Sequence, residues 1–340
     1  MGNDTRTPTS FDVAREAGVS RSTVSRAFTE GARISPEVRA RVLYAAETLG
    51  YRVNALARGL QARHSNLVGI VASRLDTPFR AVQVRSLAQG LLREGMNPLL
   101  LVADGGDDVR ALIQNLLGYN VSGVIVTSDT PPPEVTQACN RANVPVVIIN
   151  RGPASDGADT VSMDLEAGGR AAFEMLQAGG VRRFGLLAPA QHTYSVTGRA
   201  EAFLACCREA DLPVVTLNSD GQSHAAGRAA ADAIAEQARA GGIEGIFCAT
   251  DLLALGVLDR LRHERGLDIP GMLQLVGFDD IEQASWSAYS LSTIRQDVEE
   301  QASAAVELAL KRLEQPDRPF ETRTFGLEKV FRGTSRAQTV

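Results

Sequence analysis

Residues Phe11 to Arg26 read FDVAREAGVSRSTVSR, and their spacing decides the front of the chain. Phe11, Ala14 and Ala17 recur at helical intervals, and Gly18 ends the segment. Ser20 is a good N-cap for a second helix from Arg21 to about Phe28, with Val24 and Ala27 on its inner face. Ala14 is small where two helices would cross, Gly18 tolerates a left-handed turn, and Val19 plugs that turn into a core. The spacing predicts a helix-turn-helix, whose second helix lies in the major groove of DNA. Its outer face would offer Arg21, Ser22, Ser25 and Arg26, and arginine can bridge guanine O6 and N7. Ser20 and Thr23 are better placed for phosphates. A small helical bundle with a merely solvated polar face fits the same spacing.

Further along, Ser35-Pro36-Glu37 combines an N-cap, a proline at the first helical position and an acid in the first turn. That third helix carries Val38, Val42, Ala45, Ala46 and Leu49 inward, and Gly50 stops it. Next comes RVNALARGL, residues 52–60, where Asn54 can cap a helix of less than two turns. Such a helix is marginal alone in water but can form where a partner and DNA bury its apolar side. Leu60 could then wedge into a minor-groove base step, or simply pack between domains.

The run from Phe11 to Arg26 looks like the head of the lactose/galactose repressor (LacI) family. Leu49-Gly50-Tyr51 followed by Asn54-Ala55-Leu56-Ala57-Arg58-Gly59-Leu60 resembles that family's hinge helix. The resemblance implies that Arg21, Ser22 and Arg26 read bases and that Leu60 intercalates. It also implies phosphate contacts from Ser20, Thr23, Ser25, Tyr51 and Asn54. Val53 departs from the proline common before the hinge helix.

From Asn66 onward short apolar runs alternate with helical patterns. Leu67–Ala72, Pro98–Val102, Val121–Thr127 and Val144–Asn150 read as buried parallel strands, with helices over 81–94 and 107–118. A second series has strands at Thr160–Met163, Phe184–Ala188, Val214–Leu217, Gly245–Ala249 and Leu273–Gly277. Helices at about 168–178, 198–210, 223–240 and 251–266 connect them. Two strand-helix series predict two doubly wound α/β lobes with a ligand cleft between them.

The body resembles the same family's periplasmic-binding-protein-like core. The carrying segments include Asp76-Thr77-Pro78-Phe79, Ala249-Thr250-Asp251, Val276-Gly277-Phe278-Asp279-Asp280 and Leu291-Ser292-Thr293-Ile294-Arg295-Gln296. The whole chain is therefore expected to be an all-α helix-turn-helix head plus an α/β body of two doubly wound parallel-sheet lobes. The head spans 9–52, and the hinge helix and linker 53–63. One lobe spans 64–162 plus 291–325 and the other 163–290 plus 326–336, with crossings near 162, 290 and 325. Carried over by position, Arg199 would hold effector oxygens and Asp279 would accept hydrogen bonds from hydroxyls. Phe79 and Phe247 would form apolar walls, Ser195 a polar contact, and Asp164 a hinge or cleft residue. Arg80 replaces a frequent second aromatic and Thr250 a frequent asparagine. Arg80 and Arg199 in one cleft would suit a sugar acid or phosphate; alternatively the Arg199–Asp279 pair bridges the lobes without ligand.

Charge agrees with a division of labour. Residues 1–63 hold ten arginines against six acids, while the remaining 277 hold 25 basic and 34 acidic groups. A basic head on an acidic body suggests a polyanion-binding module attached to something else. No apolar run reaches the ~20 residues of a membrane span, and the polar start MGNDTRTPTS lacks a secretory apolar core. A cytoplasmic location is expected, with no membrane partner. Cys139, Cys206, Cys207 and Cys248 form no C-x-x-C pair, so reduced thiols are expected, with no metal site and no cofactor. Catalysis is disfavoured: no G-x-G-x-x-G opens a helix, no P-loop occurs, and His64, His192, His224 and His263 have no visible partners. A transporter's solute-binding protein would fit the body but not the head.

These readings imply a repressor that binds double-stranded operator DNA as a homodimer and is released by a small sugar or sugar-acid effector. Corepression by the ligand is the alternative. The tail after Phe331 is short and lacks an apolar heptad, so no C-terminal tetramerising bundle is expected.

Overall fold

The computed structural model describes residues 7–29, 31–52, 65–103, 109–127, 133–150, 157–191 and 193–336. The chain divides into two compact units, residues 1–65 and 66–340.

The first unit packs α1 (Ser10–Glu16), α2 (Arg21–Ala27) and α3 (Pro36–Leu49) around Val13, Ala14, Ala17, Val24, Ala27, Val42, Ala45 and Ala46. Its turns follow from named residues. Gly18 sits at φ 62°, and the Val19 amide donates back to the Ala14 carbonyl at 2.9 Å. Ser20 Oγ accepts from the Thr23 amide, and Ser35 Oγ from the Val38 amide. The Arg39 guanidinium donates to the Ala27 carbonyl at 2.8 Å and to the Thr29 and Ala32 carbonyls, closing the end of α2. Phe11 departs from its expected inward place. The helix register turns Val13 inward and leaves the Phe11 ring 61% exposed, with the Arg21 guanidinium 3.9 Å from its centroid.

The second unit contains two parallel sheets. The first runs β11-β5-β4-β3-β1-β2, from β1 (Leu67–Ala72), β2 (Asn97–Val102), β3 (Gly123–Val126), β4 (Val146–Ile149), β5 (Asp159–Met163) and β11 (Thr322–Phe325). The second runs β7-β6-β8-β9, from β6 (Phe184–Pro189), β7 (Val214–Ser219), β8 (Gly245–Cys248) and β9 (Gln274–Val276). Each is covered on both faces. In the first sheet α4 (Pro78–Arg93) and α11 (Val298–Glu314) pack on one side, α5 (Val109–Gly118) and α6 (Pro133–Arg141) on the other. In the second, α7 (Leu165–Ala178) and α8 (Tyr194–Glu209) face α9 (His224–Arg239) and α10 (Asp251–Leu258) across the sheet. Central strands accordingly read as continuous apolar runs.

Two sequence readings are corrected by this topology. The strand at Thr160–Met163, placed in the second series, pairs with β4 and belongs to the first sheet. Pro98–Val102, read as buried, is only partly so, because β2 is an edge strand with a neighbour on one side only. Helices α6 and α11, strand β11 and the last strand pair were not foreseen. That pair, β10 (Thr293–Gln296) with β12 (Leu327–Val330), is antiparallel, and single bridges tie Ser292 to Val276 and Arg295 to Asp279. The chain therefore passes between lobes after Met163, after Gln296 and between Phe325 and Leu327.

The strand orders reverse between β1 and β3 and between β6 and β8. In open α/β sheets such switch points, at the carboxyl ends of the strands, are where ligands bind.

Candidate functional site

Two regions carry the sequence-predicted side chains. On α2 the apolar face, Val24 and Ala27, is buried, while Arg21, Ser22, Ser25 and Arg26 are exposed together. Arg26 Nε donates to the Ser22 carbonyl at 3.3 Å, which lays the side chain along the helix. Ser20 Oγ lies 2.8 Å from Ser22 Oγ and 2.9 Å from Thr23 Oγ1, clustering three hydroxyls at the helix entrance. The Tyr51 ring packs 6.0 Å from that of Phe28, so this residue helps close the core. Asn54 and Leu60, with the hinge and linker 53–63 they belong to, lie outside the described residues.

The second region is a cleft between the lobes of the body, lined at the carboxyl ends of both sheets. Counting space open to solvent, it spans about 540 Å³. From the first lobe come Arg74, Phe79, Arg80, Asn150 and Met163; from the second, Ser195, Arg199, Gln222, Thr250 and Asp279; Gln296 ends β10. Thus six sequence-predicted residues, Phe79, Arg80, Ser195, Arg199, Thr250 and Asp279, converge.

At the centre Arg199 Nη1 donates to Asp279 Oδ1 at 3.2 Å, and Gln296 Nε2 donates to the same oxygen at 2.6 Å. The Arg199 guanidinium lies 4.0 Å from the Phe278 ring centroid. Helix α8 comes close enough to α7 only because residue 169 lacks a side chain: a Cβ there would sit 2.4 Å from the Arg199 carbonyl. Asp279 itself has φ 117°, a backbone region that side chains rarely occupy, held by its amide's bond to the Ile294 carbonyl at 2.9 Å. Burial pushes the Asp279 carboxyl up, against the downward pull of Arg199, Gln296 and Arg80. Arg80 is thus close enough to Asp279 to be felt electrostatically. It is 4% exposed, and its Nη1 donates to Gln83 Oε1 at 2.6 Å.

Behind this surface Asp251 is fully buried. Its oxygens accept from Thr293 Oγ1 at 2.6 Å and from the Ile281 amide at 2.9 Å, joining α10, β10 and the segment after Asp279. Burial, with Asp279 nearby, raises the Asp251 carboxyl to about 7 despite those two bonds.

Two expected cleft residues lie elsewhere. Phe247 is fully buried in the core of the second lobe, its ring 5.1 Å from Phe203 and 6.4 Å from Phe278. Side chains inside a strand project from one sheet face or the other, and this one enters the aromatic core beneath α7 and α8. Asp164 is exposed and caps α7, accepting from the Ala167 amide at 2.8 Å. Sequence reading missed Arg74, Gln222 and Gln296, and gave Asn150 no role. Asn150 had a visible cue: it follows a strand and takes φ 64°, which asparagine tolerates. Three buried atoms of the lining have no hydrogen-bond partner among the described residues: Asn150 Oδ1, Arg199 Nε and Gln296 Oε1. A ligand with hydroxyls could supply a donor to each oxygen and an acceptor to the guanidinium.

Away from the cleft, two histidines do have neighbours: His224 Nε2 lies 2.7 Å from Asp259 Oδ2, and the His263 ring packs edge-on to Tyr289. His192 and His64 lie outside the described residues. All four cysteines are buried and free. Among the described residues, no helix is long and apolar enough to cross a membrane, and no group of three or more metal-ligating side chains forms a cluster.

Comparison with known proteins bears on both regions. Residues 11–54 match the model of bacterial regulatory proteins of the lacI family, and residues 173–335 match that of a periplasmic binding protein-like domain. An uncharacterised HTH-type transcriptional regulator of Streptomyces limosus is 30% identical over 342 residues, covering 96% of this chain and 94% of the relative. Among solved structures, the Lac repressor dimer bound to operator and the anti-inducer ONPF superposes with a TM-score of 0.86 at 24% identity, covering 98% of this chain and all of that one. A CelR transcriptional regulator–cellobiose complex superposes with a TM-score of 0.71 at 26% identity, covering 96% of this chain and all of that one.

Proposed function

The chain belongs to the lacI family of bacterial regulatory proteins and is a DNA-binding transcriptional regulator; we propose that a small polyhydroxylated ligand in the interlobe cleft sets its affinity for operator DNA. The observation that carries this reading is the lining itself: Asn150 Oδ1, Arg199 Nε and Gln296 Oε1 are buried without partners among the described residues, around the Arg199–Asp279 pair. Orphaned polar atoms cost free energy that hydroxyls of a bound sugar would offset. The half-buried Phe79 gives the ring's C–H face an apolar contact. The CelR–cellobiose complex supports the choice of a sugar. The named relatives are regulators, and recognition without catalysis is the role assigned to the cleft here.

On the DNA side, Arg21, Ser22 and Arg26 read bases; Ser20, Thr23, Ser25, Tyr51 and Asn54 hold phosphates; Leu60 enters the minor groove. Two heads of a homodimer read the half-sites of a pseudo-palindrome, as the Lac repressor dimer on its operator suggests. The protein works in the cytoplasm as a repressor, and ligand releases it. Because the lining comes from both lobes, a ligand that binds one lobe arrangement better shifts the population toward it, with a coupling of ~1–3 kcal/mol.

The test is operator binding by fluorescence anisotropy, using the chain's own promoter region and a scrambled duplex, with sugars, sugar acids and purine bases as ligands. Preference for the operator, weakened by a sugar-class ligand and insensitive to it in Asp279→Asn, is the expected result. Tightened binding would make the ligand a corepressor. Equal affinity for operator and scrambled duplex at physiological salt would end the reading.

A further inference from the structure

Past the end of β9 two consecutive residues take positive φ, Asp279 at 117° and Asp280 at 53°. Such backbone persists only where its surroundings hold it. The two side chains have different partners. Asp279 lines the cleft, with Arg199 and Gln296 on its Oδ1. The Asp280 side chain, 7% exposed, meets the strands that cross between the lobes. Arg295 Nε, on β10, donates to Asp280 Oδ2 at 2.6 Å, and Arg332 Nη2, just past β12, lies 2.7 Å from Oδ1. Arg295 reaches on to Glu328 of β12 at 2.9 Å, its partner in strand register. Arg332 also donates to the Leu291 carbonyl at 2.8 Å, ahead of β10. Successive residues of a strand project to opposite sides, so Gln296 serves Asp279 and Arg295 serves Asp280 from the two faces of β10.

We infer that Asp280 is a positioning residue for effector sensing: through Arg295 and Arg332 it fixes the turn that presents Asp279 to the cleft and joins that turn to both crossing strands. The inference rests on the reading that a cleft ligand sets operator affinity, and adds to it how Asp279 is tied to the connections between the lobes. β10 runs through Asp297 into α11 of the first lobe, and β12 follows β11 of the first sheet across Gly326 alone. The Asp279 backbone itself bridges to that of Arg295. A ligand that pulls on Asp279 therefore pulls on both crossings for as long as the ladder Asp280–Arg295–Glu328 holds. Asparagine tolerates positive φ as aspartate does, so Asp280→Asn removes the charge and spares the turn.

Operator anisotropy with the full chain tests this, without and with saturating cellobiose, glucose or galactose, keeping the sugar that moves wild-type binding most. Typical couplings make the wild-type ratio of the two operator affinities about 5- to 150-fold. In Asp280→Asn that ratio should fall toward one, while ligand-free operator affinity stays within about twofold of wild type. Arg332→Gln should do the same, and the double variant should lose no more than either single one, because the pair acts as one unit. If Asp280→Asn fails to fold, Arg332→Gln and Arg295→Gln decide. An undiminished ratio would overturn the inference. So would a ratio that falls only together with ligand-free operator affinity, since Asp280 would then merely brace the fold. If no sugar moves wild-type binding, the sugar reading fails by itself, and amide exchange of the ligand-free protein decides this one. Faster exchange at Asp279 and in β10 of Asp280→Asn, with β3 unchanged, supports it; wild-type rates there overturn it.

Discussion

The helix-turn-helix face and the interlobe cleft use the same side chains, arginine and serine above all, under opposite conditions. On α2, Arg21, Ser22, Ser25 and Arg26 stand in solvent above a small apolar core that does not need them. In the body, Arg199, Ser195, Thr250, Asn150 and Gln296 are more than nine-tenths buried. The principal charges there are bound into the structure: Arg199 to Asp279, and Arg312 to Asp159. Exposed polar groups can be changed at little cost to the fold, whereas buried ones carry function and stability together. DNA reading should therefore be separable from stability, and ligand sensing should not.

The largest expected effect lies at the opposite end of the strand that reaches the cleft. β5 ends at Met163 in the lining and begins at Asp159, which is fully buried. Arg312 grips Asp159 with two bonds of 3.0 Å, Arg318 approaches the same carboxylate at 2.9 Å, and the Glu321 amide donates to it. Arg312 also donates to the carbonyls of Pro316, Arg318 and Pro319. Arg312→Ala strands part of a buried carboxylate and should cost about 3 kcal/mol or more in urea unfolding. A loss below ~1 kcal/mol would break the contrast, because buried charge would then be as dispensable as the head's.

A second test uses pH. The native Asp251 carboxyl titrates at about 7, whereas the unfolded chain releases that proton near the ordinary carboxylate value. Between those two points the folded state binds the extra proton, so stability falls as pH rises, by up to ~1.4 kcal/mol per pH unit. Asp251→Asn should flatten that slope between about pH 5 and pH 7. Equal slopes in variant and wild type would remove Asp251 as the source.

How much of this was legible in the sequence follows the same contrast. The head could be read nearly whole, because caps, turn glycine and apolar spacing are local: Ser20, Gly18 and Val24 do what their spacing implied. Its one miss, Phe11, came from choosing between two helical faces seven residues long. In the body the strands up to β9 were readable from apolar runs, the later, more polar β10, β11 and β12 were not, and sheet membership was not. Nothing local in Thr160–Met163 says which neighbour it will hydrogen-bond, because pairing is fixed by distant β4 and β11. The same limit explains the site. Residues at helix starts, such as Arg80 and Thr250, do line the cleft. Phe247 does not, since one residue along a strand changes the face. Gln296 was invisible because its role depends on β10 lying beside Asp279.

On the exposed side, Arg26→Ala should lower discrimination at one base pair by ~1–3 kcal/mol in competition binding, with the urea midpoint unmoved. A shift of that midpoint comparable with that of Arg312→Ala would mean that the reading face supports the fold after all.

The smallest effect is expected from a charge pair on the head itself, and it sharpens the comparison because its two members differ. Arg15 Nη2 lies 3.0 Å from Asp12 Oδ1, with the Arg15 side chain 82% exposed and that of Asp12 only 14%. Solvent screens such a pair, so Arg15→Ala should change amide-exchange protection in α1 by no more than about twofold. Asp12 has a second task. Its Oδ2 accepts from the Thr9 amide at 2.9 Å and from Thr9 Oγ1 at 2.7 Å, completing the box that starts the helix. Asp12→Ala should therefore cost about 1 kcal/mol, seen as several-fold lower protection across α1. Equal losses in the two variants would show that the ion pair, and not the cap, holds the start of the helix, and surface charge would then matter to the head as buried charge does to the body.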